Sequence, residues 1–366
     1  MPGGSWAEPE RWPIPCNPHP RIRKPLTIST RSSVGGMTVC GDLALGARPR
    51  ASIPIPVHGR ASPLQIVWGV SCDQHRALAP GVEDHVEAFA GPGGLPFIRL
   101  SHACGSSVEI SLFGGQITSF RQASGDEVLY IRPDAVFDRS KPIAGGIPLC
   151  FPQFGPGAIQ QHGFARNVDW SVSDSSADPN PDDREPEVQL LLRDNEFTRS
   201  IWPHEFQAAL TVNLHGERLR LDFRVINPSS GGTFDFTAAL HSYIEVVDVE
   251  RSAVVGLQGL KYLDKVVSAT SPPECEEEGE AVLIQGPVDR VYLDAGEYAE
   301  LHVGNGAAVA LSSHGWRDAV VWNPWTAMPD AYRRFVCVEN AVAAVPIRLD
   351  PGSGWRARLE LYVNDL

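Results

Sequence analysis

The chain has 366 residues, 43% of them hydrophobic, enough to bury a sizeable core in one large domain or two ordinary ones. Its 44 acidic residues outnumber the 31 Lys and Arg, for a formal net charge of -13, which argues against nucleic acid as a partner and leaves room only for a local basic pocket holding one small anion. No apolar run approaches the roughly 20 residues needed to cross a bilayer, so no membrane partner is expected either.

In chain order, residues 1–82 come first and read as a flexible extension: RIRKPLTISTRSSVGG and GARPRASIPIPVHGRASP carry Pro, Gly, Ser and Arg, few acids and no sustained period. An Arg- and Ser-rich, acid-poor beginning fits an organelle transit peptide, against which stand Glu8, Glu10 and the many prolines. A disordered extension or a misassigned start fits as well. The expected compartment, cytoplasm or plastid, depends on this choice.

From residue 83 to the end the sequence is strand-like. SVEISLFG, EVQLLLRD, FQAALTVNLHG, ERLRLDFRVINP, GTFDFTAALHSYIEV, RVYLDAGEYAELHVG, AAVALSSHG and WRARLELYV alternate β-branched or aromatic residues with polar ones. Few helical stretches intervene, so an all-β antiparallel sandwich over 83–366 is expected. HGE between VNL and RLRLDF, and NGA between ELHV and AVALSS, place glycines where hairpins need unusual torsions. The acidic run Glu274 to Glu280 reads as a solvated loop. Seven scattered cysteines, none in a CxxC pair, read as reduced thiols mostly in a core.

Three polar positions interrupt apolar segments. In GGIPLCFPQFGPGAIQQHGFAR, a Pro- and Gly-rich loop ends on Gln161, His162 and Arg166. In AALHSYIEV, His241 continues an alternating strand and can point to either face. In FVCVENA, Glu339 follows an apolar strand where a turn residue would normally stand. Singly, each has an ordinary explanation: a structural donor, a surface arginine, a solvated strand-end carboxylate.

Together, GGIPLCFPQFG, QHGFARNVDWSV, LHSYIEV, GLKYLDK, GPVDRVYLD and VVWNPW followed by FVCVENA, in this order, resemble the glucose-6-phosphate 1-epimerase (hexose-6-phosphate mutarotase) branch of the aldose 1-epimerase family. The resemblance runs from about residue 83 to the end. It implies a galactose-mutarotase-like β-supersandwich with the sugar in an open cleft. Anomer exchange needs a base at the C1 hydroxyl and an acid at the ring oxygen, and no metal or organic cofactor. By the resemblance, Glu339 is the base, His241 the acid, Gln161 and His162 bond the sugar, Asp289 accepts from its hydroxyls, and Arg166 faces the phosphate or neighbouring oxygens. The substrate would be a small sugar phosphate and the protein a monomer.

Two departures stand out. KPIAGGIP puts Ala144 where the resembling proteins carry an arginine, which removes one strong anion contact; Arg139 and Lys141 lie nearby in sequence and read as surface charges. WNPWTAMPDAYRRFVCVEN is shorter than the usual connection before the glutamate's strand, although Trp322, Trp325 and Asp330 remain, and both tryptophans read as core. A neutral-aldose epimerase, favoured by Ala144, and a noncatalytic sugar-binding protein of the same fold are the alternatives.

Overall fold

The structure is a computed structural model that describes residues 85–177, 185–295 and 297–366; the amino-terminal extension expected over 1–82, with Cys16, Cys40 and Cys72, lies outside them. Every strand run read from the sequence forms strand. Pro186–Arg193 shows the cause: Val188, Leu190 and Leu192 are buried while the residues between them are partly exposed, the period of two that a half-covered strand requires. Gly216, at φ 57°, and Gly306, at φ 92°, turn the two expected hairpins in torsions that L side chains rarely adopt.

Among the described residues three sheets result, with every strand pairing antiparallel. A four-stranded meander runs through His85–Ala90, Pro96–Ser101, Ser107–Ser111 and Gln116–Arg121. The nine-stranded sheet is ordered Ala281–Leu283, Ala253–Val255, Tyr298–His302, Ala307–His314, Gly354–Asp365, Arg218–Ile226, Gln207–His215, Pro186–Arg193, Ser171–Ala177. The eight-stranded sheet runs Glu274–Glu276, Lys261–Asp264, Val288–Tyr292, Asp318–Asn323, Phe335–Leu349, Phe234–Leu240, Leu149–Cys150, with Tyr243–Glu245 also paired to Phe335–Leu349. Among the described residues no helix is long and apolar enough to cross a membrane.

The main core lies between the two large sheets. Phe151, fully buried, meets Phe206 and Phe223 of the nine-stranded side at 5.4 and 5.9 Å between centroids, and Phe236 of the eight-stranded sheet at 5.5 Å. Phe236 in turn stands edge-on to Trp355 at 5.5 Å. The second face of the eight-stranded sheet carries a smaller buried set of short side chains, Cys150, Ala239, Val291, Val320 and Ala341. Phe154, Leu263, Leu293, Trp322 and Ala343, partly buried, pack against this set.

The acidic run departs from expectation. Glu274–Glu276 is an edge strand whose Glu274 meets Lys261 at 2.7 Å, and Glu277 is buried, accepting from the Tyr292 hydroxyl at 2.8 Å and from Arg290 at 2.7 Å. A run of like charges hides the partners that distant strands supply, so its composition read as loop. Of the described cysteines, Cys150 and Cys337 are buried and unpaired, as expected for core thiols, whereas Cys104 is exposed.

Phe151→Ala removes the ring that joins both sheets. We expect it to lower the unfolding free energy by about 3–5 kcal/mol in urea denaturation; a loss below about 1 kcal/mol would show that the sheets hold together without it.

Candidate active site

Antiparallel register decides which side chains share the second face of the eight-stranded sheet, because residues directly opposite each other point the same way. Leu240 lies opposite Asn340 and Tyr243 opposite Cys337, one continuous register that sets His241 against Glu339. Glu339 lies opposite Val320, which lies opposite Val291. Two residues along, Tyr243, Cys337, Trp322 and Asp289 form the next row on the same face. Lys265 extends it, since its N–H donates to the Asp289 carbonyl at 2.8 Å. Four candidate or neighbouring polar groups from distant parts of the chain thus stand on one floor.

The floor is dry. His241 is 7% exposed and Glu339 1%, and the imidazole Nδ1 lies 3.3 Å from Glu339 Oε1 without hydrogen-bond alignment. Tyr243 stacks on the His241 ring at 4.8 Å and 9°, and Trp322 stands edge-on to it at 5.8 Å. The His241 N–H donates to the Pro148 carbonyl at 3.0 Å, tying this turn of chain to the GGIP segment. Glu339 sits within the long strand Phe335–Leu349 and not at its end, contrary to the reading of the sequence; the pairing continues past it on both sides.

The Pro- and Gly-rich loop folds over one side of this floor. Gln153 staples it, donating to the Gly155 and Ile159 carbonyls at 3.1 Å each and accepting from the Ile159 N–H at 3.1 Å. Its far end turns through His162 and Gly163, at φ 66° and 70°; a Cβ on Gly163 would come within 2.1 Å of the Phe151 carbonyl oxygen, so only glycine closes the loop here. The turn delivers His162 to 5.6 Å from the His241 ring and 5.4 Å from Phe154. Nδ1 of His162 accepts from the Gly155 N–H at 3.3 Å, and its Nε2 lies 3.3 Å from the Gln161 side-chain amide nitrogen. Arg166 donates through Nη2 to the Gln161 carbonyl at 3.0 Å.

Burial and like charge set the protonation of these groups. Desolvation, with the positive charges of Arg166 and Lys265 beside it, pushes His162 down to about 3, so its imidazole is neutral. His241 is held well below the usual range, first by burial and then by His162 and Arg166. Glu339 is held well above the carboxylate range by burial and by Asp289, against the pull of Lys265 and Arg166. Burial likewise raises Asp289. Arg166 Nε, His241 Nδ1 and Glu339 Oε2 are buried with no hydrogen-bond partner among the described residues, a concentration of unsatisfied donors and acceptors that ordinary cores avoid. A dry acid and base flanked by spare donors can move protons to and from a polyhydroxyl ligand. No grouping of three or more His, Cys, Asp or Glu among the described residues is arranged to hold a metal ion.

All six residues read from the sequence lie in or beside this cleft: His241, Glu339 and Asp289 on the sheet, Gln161, His162 and Arg166 on the loop. Three more belong to it, Lys265, Trp322 and Tyr243. Lys265 reaches 4.0 Å from Asp289 and 5.6 Å from the Phe154 ring centroid. Its place directly after Asp264 in KYLDK gave no signal, since only the register beside Asp289 reveals it. Trp322, expected as core, is half-buried on the floor against His241 and Tyr243. Trp325 packs on Tyr332 at 5.0 Å and against the main core, in line with expectation. Arg139 and Lys141 are exposed, and Arg139 pairs with Asp169 at 3.1 Å.

Comparison with known proteins follows the same outline. The family model described as aldose 1-epimerase matches residues 96–362. A protein of Cenchrus ciliaris named "Putative glucose-6-phosphate 1-epimerase" is 38% identical over 292 residues, 75% of this chain and 87% of that one. A Salmonella typhimurium protein of the same name is 32% identical, covering 64% of this chain and 80% of its own. A crystal structure of a Salmonella typhimurium protein named a "putative mutarotase" superposes with a TM-score of 0.66 at 28% identity, over 74% of this chain and 91% of that one.

The neutral burial of His162 fixes the sign of an acid effect. Its folded pKa lies below its unfolded value, so the unfolded chain binds the extra proton first; stability is full above about 6.5 and falls as pH drops towards about 3. We expect wild type to lose stability over this window more steeply than His162→Asn, by up to about 1.4 kcal/mol per pH unit, in chemical denaturation at several pH values. Parallel curves would show that His162 is protonated in the fold.

Proposed function

The chain belongs to the aldose 1-epimerase family, and on that premise we propose that it interconverts the α and β anomers of glucose 6-phosphate by acid–base opening and reclosure of the hexose ring. The observation that carries this reading is a buried carboxylate and imidazole, Glu339 and His241, 3.3 Å apart on one floor. The names of the relatives support the substrate.

Glu339 as carboxylate takes the proton of the C1 hydroxyl while His241 as imidazolium gives its proton to the ring oxygen. The C1–O5 bond breaks and C1 becomes an aldehyde. Rotation about C1–C2 offers the other face to O5, and the same two transfers in reverse close the second anomer. The pair carries one proton in total throughout: burial favours carboxylic acid and imidazole, the minor carboxylate–imidazolium form is the one that reacts, and ring opening returns the pair to its favoured form. Burial disfavours both charges, so the environment that raises Glu339 and lowers His241 drives the ring-opening transfer. Gln161, His162 and Asp289 hold the sugar hydroxyls, and Tyr243 and Trp322 fix the imidazole plane. Arg166 bonds the phosphate or neighbouring sugar oxygens, with Lys265 adding positive charge beside Asp289. The chemistry uses side chains alone.

Ala144 favours a second reading, the same reaction on a neutral hexose, because it lacks the guanidinium that phosphate recognition would use.

Exchange between anomers, followed by one-dimensional NMR with glucose 6-phosphate and with glucose, separates the readings. Wild type is expected to accelerate the phosphorylated sugar, and Glu339→Gln and His241→Ala each to lose ~10²- to 10⁴-fold in kcat. A variant that keeps the wild-type rate removes its residue from the pair. Acceleration of glucose alone would establish the neutral-sugar reading, and acceleration of neither would leave a sugar-binding protein.

A further inference from the structure

Three short segments meet beside His241. The Tyr130 N–H donates to the Tyr243 carbonyl at 2.9 Å, the Tyr243 N–H to the Gly146 carbonyl at 2.8 Å, and the Gly146 N–H to the Tyr130 carbonyl at 2.8 Å. One step along, the Arg132 N–H donates to the Ala144 carbonyl at 3.1 Å. Gly146, at φ 65°, permits this crowding: a Cβ there would come within 2.2 Å of the Ile117 carbonyl oxygen. Arg132 is therefore the backbone neighbour of Ala144, and its guanidinium lies beside the Tyr243 side chain, which stacks on His241.

The guanidinium is aimed. Its side chain is 18% exposed, and Asp134 holds it through two parallel bonds, Nε to Oδ1 at 2.9 Å and Nη2 to Oδ2 at 2.7 Å. A guanidinium has five N–H donors; Asp134 takes two and the Tyr243 hydroxyl meets another, which leaves two for a further anion. Arg166 and Lys265 are the cations that act on both His241 and His162, whereas Arg132 acts on Tyr243.

We propose that Arg132 is a specificity-determining residue that grips the 6-phosphate of the sugar from the backbone position hydrogen-bonded to Ala144. This rests on the reading of the site as a hexose-6-phosphate epimerase. When His241 serves the ring oxygen, the substituent that continues from it through C5, C6 and O6 runs past the imidazole, over Tyr243, towards Arg132. Ala144 contributes no charge and a small side chain, so the space beside the fork stays open for phosphate. Asp134 is the positioning partner that keeps the fork turned.

The test compares KM and kcat for anomer exchange of glucose 6-phosphate in wild type, R132M, R132K and R132M/A144R. Losing a bidentate charge-assisted contact is expected to raise KM in R132M on the order of tenfold or more, with kcat much less affected. R132K keeps a point charge without the fork and is expected to fall between, and it stands in if R132M fails to fold. R132M/A144R returns a guanidinium to the paired backbone position and is expected to recover much of the lost affinity. A KM in R132M and R132K within about twofold of wild type overturns the assignment, and so does a fall in kcat at unchanged KM, which would mark Arg132 as a prop for Tyr243. Wild type that leaves glucose 6-phosphate unaccelerated refutes the functional reading itself, an outcome distinct from a variant that matches an active wild type.

Discussion

The site depends on one unbroken stretch of antiparallel register. Phe234–Leu240 and Tyr243–Glu245 pair to the same strand, Phe335–Leu349, and the register on either side of residues 241 and 242 is the same. That sets an imidazole directly opposite a carboxylate on the floor of a sheet whose other face is the main core. A slip of one residue in either strand would turn its group into that core, where it could not reach a ligand or its partner. Burial then does chemical work: it penalises imidazolium and carboxylate alike, so it favours the uncharged arrangement of the one proton they share, carboxylic acid and imidazole.

The second element is the loop that closes over the floor. Its backbone is held by Gln153, by the close approach of Gly163 to Phe151, and by the Phe164 and Ala165 N–H groups, which donate to the Phe151 carbonyl at 3.0 and 3.1 Å. Phe151 is also the ring that bridges the two large sheets, so the loop carrying His162 and Arg166 is anchored in the core itself. Pre-organised side chains of this kind lose little entropy when they meet a substrate. The cost is visible in the chain's own terms: His162 sits in a left-handed torsion and is kept neutral by burial.

Much of this was legible in the sequence, and for physical reasons. Period-two alternation gave the strands because each large sheet has one face in the core, and Gly216 and Gly306 marked hairpins because few other residues adopt their torsions. His241, Glu339 and the loop end at Gln161 to Arg166 stood out as polar groups breaking apolar segments. Lys265, Tyr243 and Trp322 did not, because their roles come from cross-strand neighbours far away in sequence. Lys265 beside Asp289 and Trp322 beside Cys337 are facts of register, which a single strand does not carry. The same blindness made Glu277 read as solvated, since its partners Arg290 and Tyr292 lie on another strand. Family resemblance supplied the roles of the site residues, and geometry supplied their neighbours.

Burial couples His241 and Glu339 into a pair that holds one proton across neutral pH. The most direct test is the pH dependence of kcat, which reports the enzyme–sugar complex. Independent, unperturbed groups acting as carboxylate and imidazolium would give a narrow bell with limbs near about 4.3 and 6.5, already falling at neutrality. The coupled pair takes up its second proton only below the usual histidine range and loses its last only above the usual carboxylate range, so we expect a broad plateau through neutral pH. A maximum near about 5.4 with activity declining by pH 7 would contradict it.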